Sequence, residues 1–393
     1  MLYFRQMHFR SFILTPLLLL ILSAGANAQV RSIEAGALAG NMLDIYPNMP
    51  DHNTQVGGFA SLRWGDKSSY RSFYGAPESG IQLSYHNLGN NAVLGYAIGA
   101  QYQVTFDQYH TKRLRTFQRF NVGGIYVTKP YDFIDNPDNN VFGSPLSALL
   151  SISAGVKYKF RNNALALQAS YWHSSNAHTA LPNIGMNVPM IMLSLEKFFY
   201  IEDINSIEDQ ESFKLNPRFG LMIYGALGMN EAGGTVRPTN GSTYNKNLFA
   251  LGGTYRFRTI HRVSLSVEGY YDEAYRLWNE TMEWSDGNGI LESSAVMLMV
   301  GHEFIYGRFG WIVNAGVNLY NPTLDKIINE VEQRSFSSVS KRYVPGRFAV
   351  RYYFNLPENS MAGTFIQLGV KSNLGQADFM EIGVGCLISK KQG

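Results

Sequence analysis

The chain has 393 residues with 33 basic against 30 acidic side chains, a formal charge of +3, and so lacks the global basic field expected for a nucleic-acid partner. Its single cysteine, Cys386, excludes an intrachain disulfide and a thiolate metal cluster. Aromatic residues are abundant at 13% and charged ones scarce at 16%, a balance that suits a chain held together by a closed sheet rather than by cross-links.

Residues 1–28 read as an address. Met1 to Arg10 is a short segment carrying Arg5 and Arg10, an apolar run from Ser11 to Ala26 follows, and Ala26-Asn27-Ala28 is a small-x-small cleavage site. That is the pattern of a secretory signal peptide cleaved after Ala28. The run is short for a retained membrane helix, and no Cys follows the site, which argues against lipoprotein processing. Losing Arg5 and Arg10 takes the charge from +3 to +1 (3 minus 2). After Ala28 no apolar run is long enough for a membrane helix. Export, aromatic richness and the lack of a spanning helix together point to an all-β transmembrane antiparallel barrel in the outer membrane of a Gram-negative cell.

From near Val30 to near Ile388 the chain alternates at period two over stretches of roughly ten residues, broken by polar turns. Phe249, Leu251, Gly253 and Tyr255 alternate with Ala250, Gly252, Thr254 and Arg256. Val263, Leu265 and Val267 alternate with Ser264, Ser266 and Glu268, and Phe348, Val350, Tyr352 and Phe354 with Ala349, Arg351 and Tyr353. Aromatic residues gather before short turns at Arg161-Asn162-Asn163, Thr259-Ile260-His261, Gly307-Arg308 and Leu356 to Ser360, as they do at the interfacial girdles of such barrels. The longer polar connections, Lys129 to Pro145, Tyr275 to Gly289 and Asn321 to Lys341, read as extracellular loops. The count is about 16 strands. An acidic stretch at 201–214 divides residues 29–200 from 215–393. The preferred reading is one barrel of about 16 strands, because strand and turn character is alike on both sides; the alternative is two barrels of about 8 each.

The segment from Asn163 to Tyr200 carries the candidate chemistry. A strand should run outward through Leu165, Leu167, Ala169, Tyr171, His173 and Ser175, with Ala164, Ala166, Gln168, Ser170, Trp172 and Ser174 on its other face. The odd-numbered side is the more apolar and should face lipid, which places His173 and Ser175 on the outer wall near the outer rim. The returning strand puts Asn187, Pro189, Ile191, Leu193 and Leu195 on its apolar face. Polar groups facing lipid are costly unless paired. A Ser and a His two residues apart on a strand are neighbours on one face, and an imidazole there can take the proton of a serine hydroxyl. The plainer alternative is a strand that has reached the headgroup region, with His and Ser as solvated rim residues.

The string His173-Ser174-Ser175-Asn176-Ala177, followed by Pro182-Asn183-Ile184-Gly185, resembles the signature of the PagL-type lipid A deacylases. These are outer-membrane barrels that remove an ester-linked acyl chain from lipid A. The family pattern is His-x-Ser-Asn-Ala, then Pro-Asn-x-Gly, then a Glu two residues after that Gly, and the spacing here agrees throughout. The match covers roughly Leu165 to Phe199. It implies His173 as general base and Ser175 as nucleophile, with Asn176 at the oxyanion hole and Asn183 supporting the loop. Two positions depart from the pattern. Asn187 stands where the family has Glu; its amide oxygen can accept from the imidazole but cannot stabilise an imidazolium as a carboxylate does. His178 stands where a small Gly is usual.

The resulting expectation is an outer-membrane esterase acting on lipid A or a related glycolipid of the lipopolysaccharide, with His173, Ser175 and Asn187 as the catalytic set. The partner is a membrane lipid, and the scheme needs no cofactor and no metal. The rival is a non-enzymatic barrel, a pore or transport component or an inert relative, whose polar interior would include Gln168, Arg256, Glu268 and Arg351. Three other features suggest no site. Val370-Lys371-Ser372-Asn373 echoes the motif without its base. Asp132, Asp135 and Asp138 read as a solvated acidic loop rather than a calcium site. His52, His86, His110, His261 and His302 show no metal-ligand spacing.

Overall fold

Period-two alternation needs two environments, one inside the sheet and one outside, and sixteen antiparallel strands satisfy it by closing into two separate barrels. The computed structural model describes residues 29–46, 48–65, 77–199, 218–233, 239, 241–258, 260–285, 289–331, 340–341, 343–354, 362–374 and 376–389. The expected signal peptide, the acidic stretch at 201–214 and the turn at 356–360 lie outside them.

The first barrel consists of β1 (Gln29–Gly40), β2 (Gln55–Gly65), β3 (Glu78–Asn87), β4 (Tyr96–His110), β5 (Leu114–Val127), β6 (Leu146–Phe160), β7 (Asn163–Ser175) and β8 (Met186–Phe198). It closes where β8 returns to β1, with Ala35 opposite Leu195 and Ala37 opposite Leu193. The second consists of β9 (Arg218–Glu231), β10 (Thr243–Arg258), β11 (His261–Asp272), β12 (Ser294–Tyr306), β13 (Phe309–Tyr320), β14 (Pro345–Tyr353), β15 (Ala362–Asn373) and β16 (Gln376–Ser389), closed by β16 against β9. The expectation of a single barrel is therefore corrected, and the alternative of two holds. Alternation is a local signal and does not say which strand the last one pairs with; closure is decided by register between strands far apart in sequence.

Two connections expected as plain loops hold helices. Glu273–Thr281 is helical because Asp272 caps it, its carboxylate accepting from the Ala274 N–H. Pro322–Lys326 begins with proline in its first turn, and the Asn321 side chain accepts from the Leu324 N–H. The short turns at Arg161-Asn162 and Gly307-Arg308 fall where expected, with Arg161 and Gly307 both at a φ of 55°.

An eight-stranded barrel has an interior just wide enough for side chains to fill. In the first barrel, Glu34, Arg63, Arg119 and Glu196 are all 0% exposed, so the interior there is packed rather than open. Arg63 reaches Glu34 at 3.3 Å and also pairs with Glu196, Arg119 reaches Glu34 at 2.9 Å, and Lys157 reaches Glu196 at 3.3 Å. Toward the end where β7 finishes, the interior becomes apolar, with Phe59, Leu94, Phe142, Trp172, Met186 and Val188 in one cluster. The second barrel repeats the ionic layer: Arg347 binds Glu268 at 2.6 Å and Glu381 at 2.8 Å, and Glu303 accepts from Arg262 at 2.8 Å and from the Tyr353 hydroxyl at 2.6 Å. Gln168, Arg256, Glu268 and Arg351 do point inward, as the alternation indicated, and each is buried.

Buried charges cost several kcal/mol each unless paired, so these networks are sensitive to loss of one member. Arg63→Met should leave Glu34 and Glu196 short of a cation and lower the stability of the first barrel by about 3–5 kcal/mol. Urea unfolding of detergent-refolded protein checks this; an unchanged midpoint would show that the network carries no stability.

Candidate functional site

β7 and β8 form one antiparallel hairpin whose register sets Tyr171 opposite Pro189, His173 opposite Asn187 and Ser174 opposite Met186. The even-numbered residues of β7 from Ala164 to Ser174 are buried in the barrel, and the odd-numbered ones are turned outward. Leu165, Leu167, Ile191, Leu193 and Leu195 are exposed on that outer wall, which confirms the apolar face expected from sequence. His173, Ser175 and Asn187 lie at the end of this face, each half-buried.

Directly opposed residues bring their Cβ atoms within reach of a short side chain. Here His173 Nδ1 lies 2.8 Å from Asn187 Oδ1. An amide oxygen only accepts, so in this bond Nδ1 carries the proton and Nε2 keeps its lone pair. The Tyr171 hydroxyl donates to the same oxygen at 2.9 Å. The polar group on the outer wall is thus His173, Asn187 and Tyr171 joined at one atom, with Ser175 next on the same face. Behind it, Trp172 is fully buried, donates from its indole to Ser170 Oγ at 2.9 Å and meets the edge of His86 at a centroid distance of 5.6 Å. That packing gives the outward residues of β7 a rigid support.

After Ser175 the chain leaves the sheet in a tight loop. Ala177 and His178 have φ of 54° and 69°, left-handed values that glycine adopts without cost. Histidine tolerates that region better than most residues. Asn176 braces the loop: its side-chain amide donates to the Ala180 carbonyl at 2.7 Å, and its backbone N–H donates to Asn183 Oδ1 at 3.2 Å. Residues 176–184 belong to the compact unit formed with 211–393. In that unit the Leu181 N–H donates to the Glu231 carboxylate at 2.6 Å, and His178 Nε2 donates to the Gly233 carbonyl at 3.2 Å. Burial holds the His178 imidazole below its ordinary range, offset in part by the Asp378 carboxylate and the bond to Gly233.

Gly185 ends the loop at a φ of 77°, and a Cβ there would sit 2.8 Å from the Ser174 carbonyl oxygen and 3.6 Å from Ser175 Cβ. Only glycine fits, which explains the last residue of the motif.

Of the residues singled out from sequence, His173 and Asn187 are hydrogen-bonded, Ser175 shares their face, and Asn176 and Asn183 are bonded to each other. Tyr171 was missed as a site residue, although its odd number put it on the same face two residues before His173. Pairing of β11 with β12 brings His261 and His302 to 3.1 Å between Nδ1 and Nε2. No group of three metal-ligating side chains occurs among the described residues. Asp132 closes a turn, accepting from the Ile134 and Asp135 N–H groups at 2.8 and 2.9 Å. At the end of β15, Val370 faces Met380 where His173 faces Asn187, and Lys371 is bound to Asp378 at 2.7 Å.

These features define a β-barrel protein whose hydrogen-bonded polar cluster stands on the outside of the barrel. Comparison with known families gives a model described as lipid A 3-O-deacylase (PagL) over residues 52–196 and one described as acyloxyacyl hydrolase, C-terminal domain, over residues 217–390. The chain belongs to the PagL family of lipid A deacylases. Among solved structures, the outer membrane enzyme PagL is 17% identical, with 41% of this chain and 97% of that chain covered and a TM-score of 0.31. OccAB3 of Acinetobacter baumannii is 9% identical, with 93% and 99% covered and a TM-score of 0.22. No curated protein matches the chain.

Gly185→Ala should force the last peptide of β7 to move, and the strained left-handed alanine should lower stability by about 1–3 kcal/mol. Thermal unfolding followed by heat-modifiable gel mobility tests this, and an unchanged midpoint in the variant would refute the packing argument.

Proposed function

We propose that the first barrel hydrolyses an ester-linked acyl chain of lipid A, or of a related glycolipid, in the outer leaflet of the outer membrane. The observation that carries this is the 2.8 Å bond from His173 to Asn187 on the outer wall, beside Ser175. Leucine and isoleucine on the same wall would be unfavourable in water and suit a surrounding of acyl chains. The polar cluster at the end of that wall meets the level at which acyl esters join the headgroup.

Ser175 Oγ attacks the ester carbonyl while its proton passes to Nε2 of His173. For the negative charge that develops on the carbonyl oxygen the motif resemblance implies Asn176, whose amide has two N–H donors, one of them turned to Ala180. The sugar hydroxyl leaves with the proton from His173, and water then hydrolyses the acyl-serine by the reverse transfer. Asn187 holds the imidazole in its Nδ1–H form. As a neutral group it stabilises the imidazolium less than a carboxylate does; the loss of about 10⁴ in rate that follows the Asp-to-Asn change in a serine triad comes largely from the wrong tautomer, which the Nδ1–H form avoids.

A pore is the weaker reading, because the ionic layers in both barrels are packed and buried. An inert relative is favoured only by Asn187. Lipid A from an outer membrane expressing the protein should lose one acyl chain by mass spectrometry, and Ser175→Ala and His173→Ala should each abolish the loss. Asn187→Glu should raise the rate at least about tenfold by restoring a charge for the imidazolium. An unchanged lipid A profile with folded parent protein would overturn the proposal.

A further inference from the structure

The third member of the cluster is an amide, and an amide has two ends of nearly the same shape and opposite hydrogen-bonding character. With Oδ1 toward His173, Nδ1 donates and Nε2 is left as a base. Turned over, Asn187 would present its NH₂ group, Nδ1 would have to accept, and the proton would move to Nε2. The imidazole would then be unable to take a proton from Ser175. A carboxylate cannot fail in this way, because its two oxygens are equivalent.

The Tyr171 hydroxyl lies 2.9 Å from Asn187 Oδ1, the same oxygen that His173 meets at 2.8 Å. Two donors from one strand thus converge on one acceptor of the next. Tyr171 is directly opposite Pro189, so it reaches Asn187 along the diagonal of the hairpin, a span suited to a long aromatic side chain. A phenol donates strongly and accepts weakly, because its oxygen lone pair is drawn into the ring. The turned-over amide therefore exchanges a good bond for a poor one.

We propose that Tyr171 is a positioning residue that holds the Asn187 amide with its oxygen toward His173, and so sets the imidazole tautomer this site needs. The inference rests on the hydrolase reading of the site. It also explains how asparagine can stand in the carboxylate's place: the orientation that a carboxylate has by symmetry is supplied by the hydroxyl.

The test is a set of four proteins, the parent, Tyr171→Phe, Asn187→Glu and the double variant, with kcat and KM for lipid A deacylation measured in mixed micelles. Phenylalanine keeps the ring on the apolar wall and removes only the hydroxyl. Tyr171→Phe should lower kcat about tenfold with KM changed less than about twofold, the loss expected for one hydrogen bond acting on orientation. In the Asn187→Glu background the same substitution should cost less than about twofold, because no orientation remains to be set. An equal loss in both backgrounds would mean a merely structural tyrosine and would overturn the inference. A second measurement does not depend on turnover. Nitrogen-15 spectra of histidine-labelled protein, with the His173 signals assigned by difference against His173→Ala, should show the Nδ1–H form in the parent and a mixture in Tyr171→Phe. The same tautomer in both proteins would refute the role of Tyr171 even with an inactive parent. Inactivity of the parent and of Asn187→Glu, with the expected tautomer change, would remove the hydrolase reading and leave the positioning intact.

Discussion

Everything at the site depends on the register between β7 and β8. His173 meets Asn187 because the two are directly opposed, and a slip of one residue would turn one partner into the barrel and leave the other outside. The leucines and isoleucines of the outer wall do little to fix that register, since a smooth apolar face slides at little cost. The hydrogen bonds from His173 and Tyr171 to Asn187 favour it from outside, and the packed interior favours it from within. Ala164, Gln168, Trp172 and Ser174 of β7 and Met186, Val188, Met190 and Met192 of β8 are buried on the opposite face. Trp172 is the largest of them and makes the pairing specific, because an indole has few places to go in an eight-stranded interior.

The alternation legible in the sequence was enough to place His173 and Ser175 outward, and the motif was enough to bring Asn187 into the reading. Both operate within one hairpin. What the sequence did not show was long-range. Closure into two barrels depends on pairings such as Ala37 with Leu193, which no local pattern encodes. The helix at Glu273–Thr281 was hidden inside a stretch read as polar loop, although Asp272 before it is an ordinary helix cap. Tyr171 was overlooked for a different reason: as an aromatic on an apolar face it fits the wall, and only the side-chain geometry shows its hydroxyl turned to Asn187.

The two departures from the family motif have different physical characters. His178 puts a side chain at a left-handed position, φ 69°, that a glycine takes without cost. Asn187 changes the charge: its oxygen accepts from His173 and Tyr171 as a carboxylate oxygen can, without the carboxylate's charge. The first departure bears on the loop that follows Ser175, and the second on the electrostatics facing His173.

The placement of the cluster on the outside of a packed barrel has a kinetic meaning. A cleft enzyme meets its substrate by diffusion through a volume, whereas this wall, on the proposed reading, is already bathed in the phase that contains the substrate. Encounter is then two-dimensional, and the quantity that governs rate is the mole fraction of the acylated lipid in the leaflet rather than its bulk concentration. The released fatty acid and the shortened lipid would likewise leave sideways into the same leaflet. Turnover would follow the composition of the membrane around the barrel, and inert lipid would slow it by dilution alone.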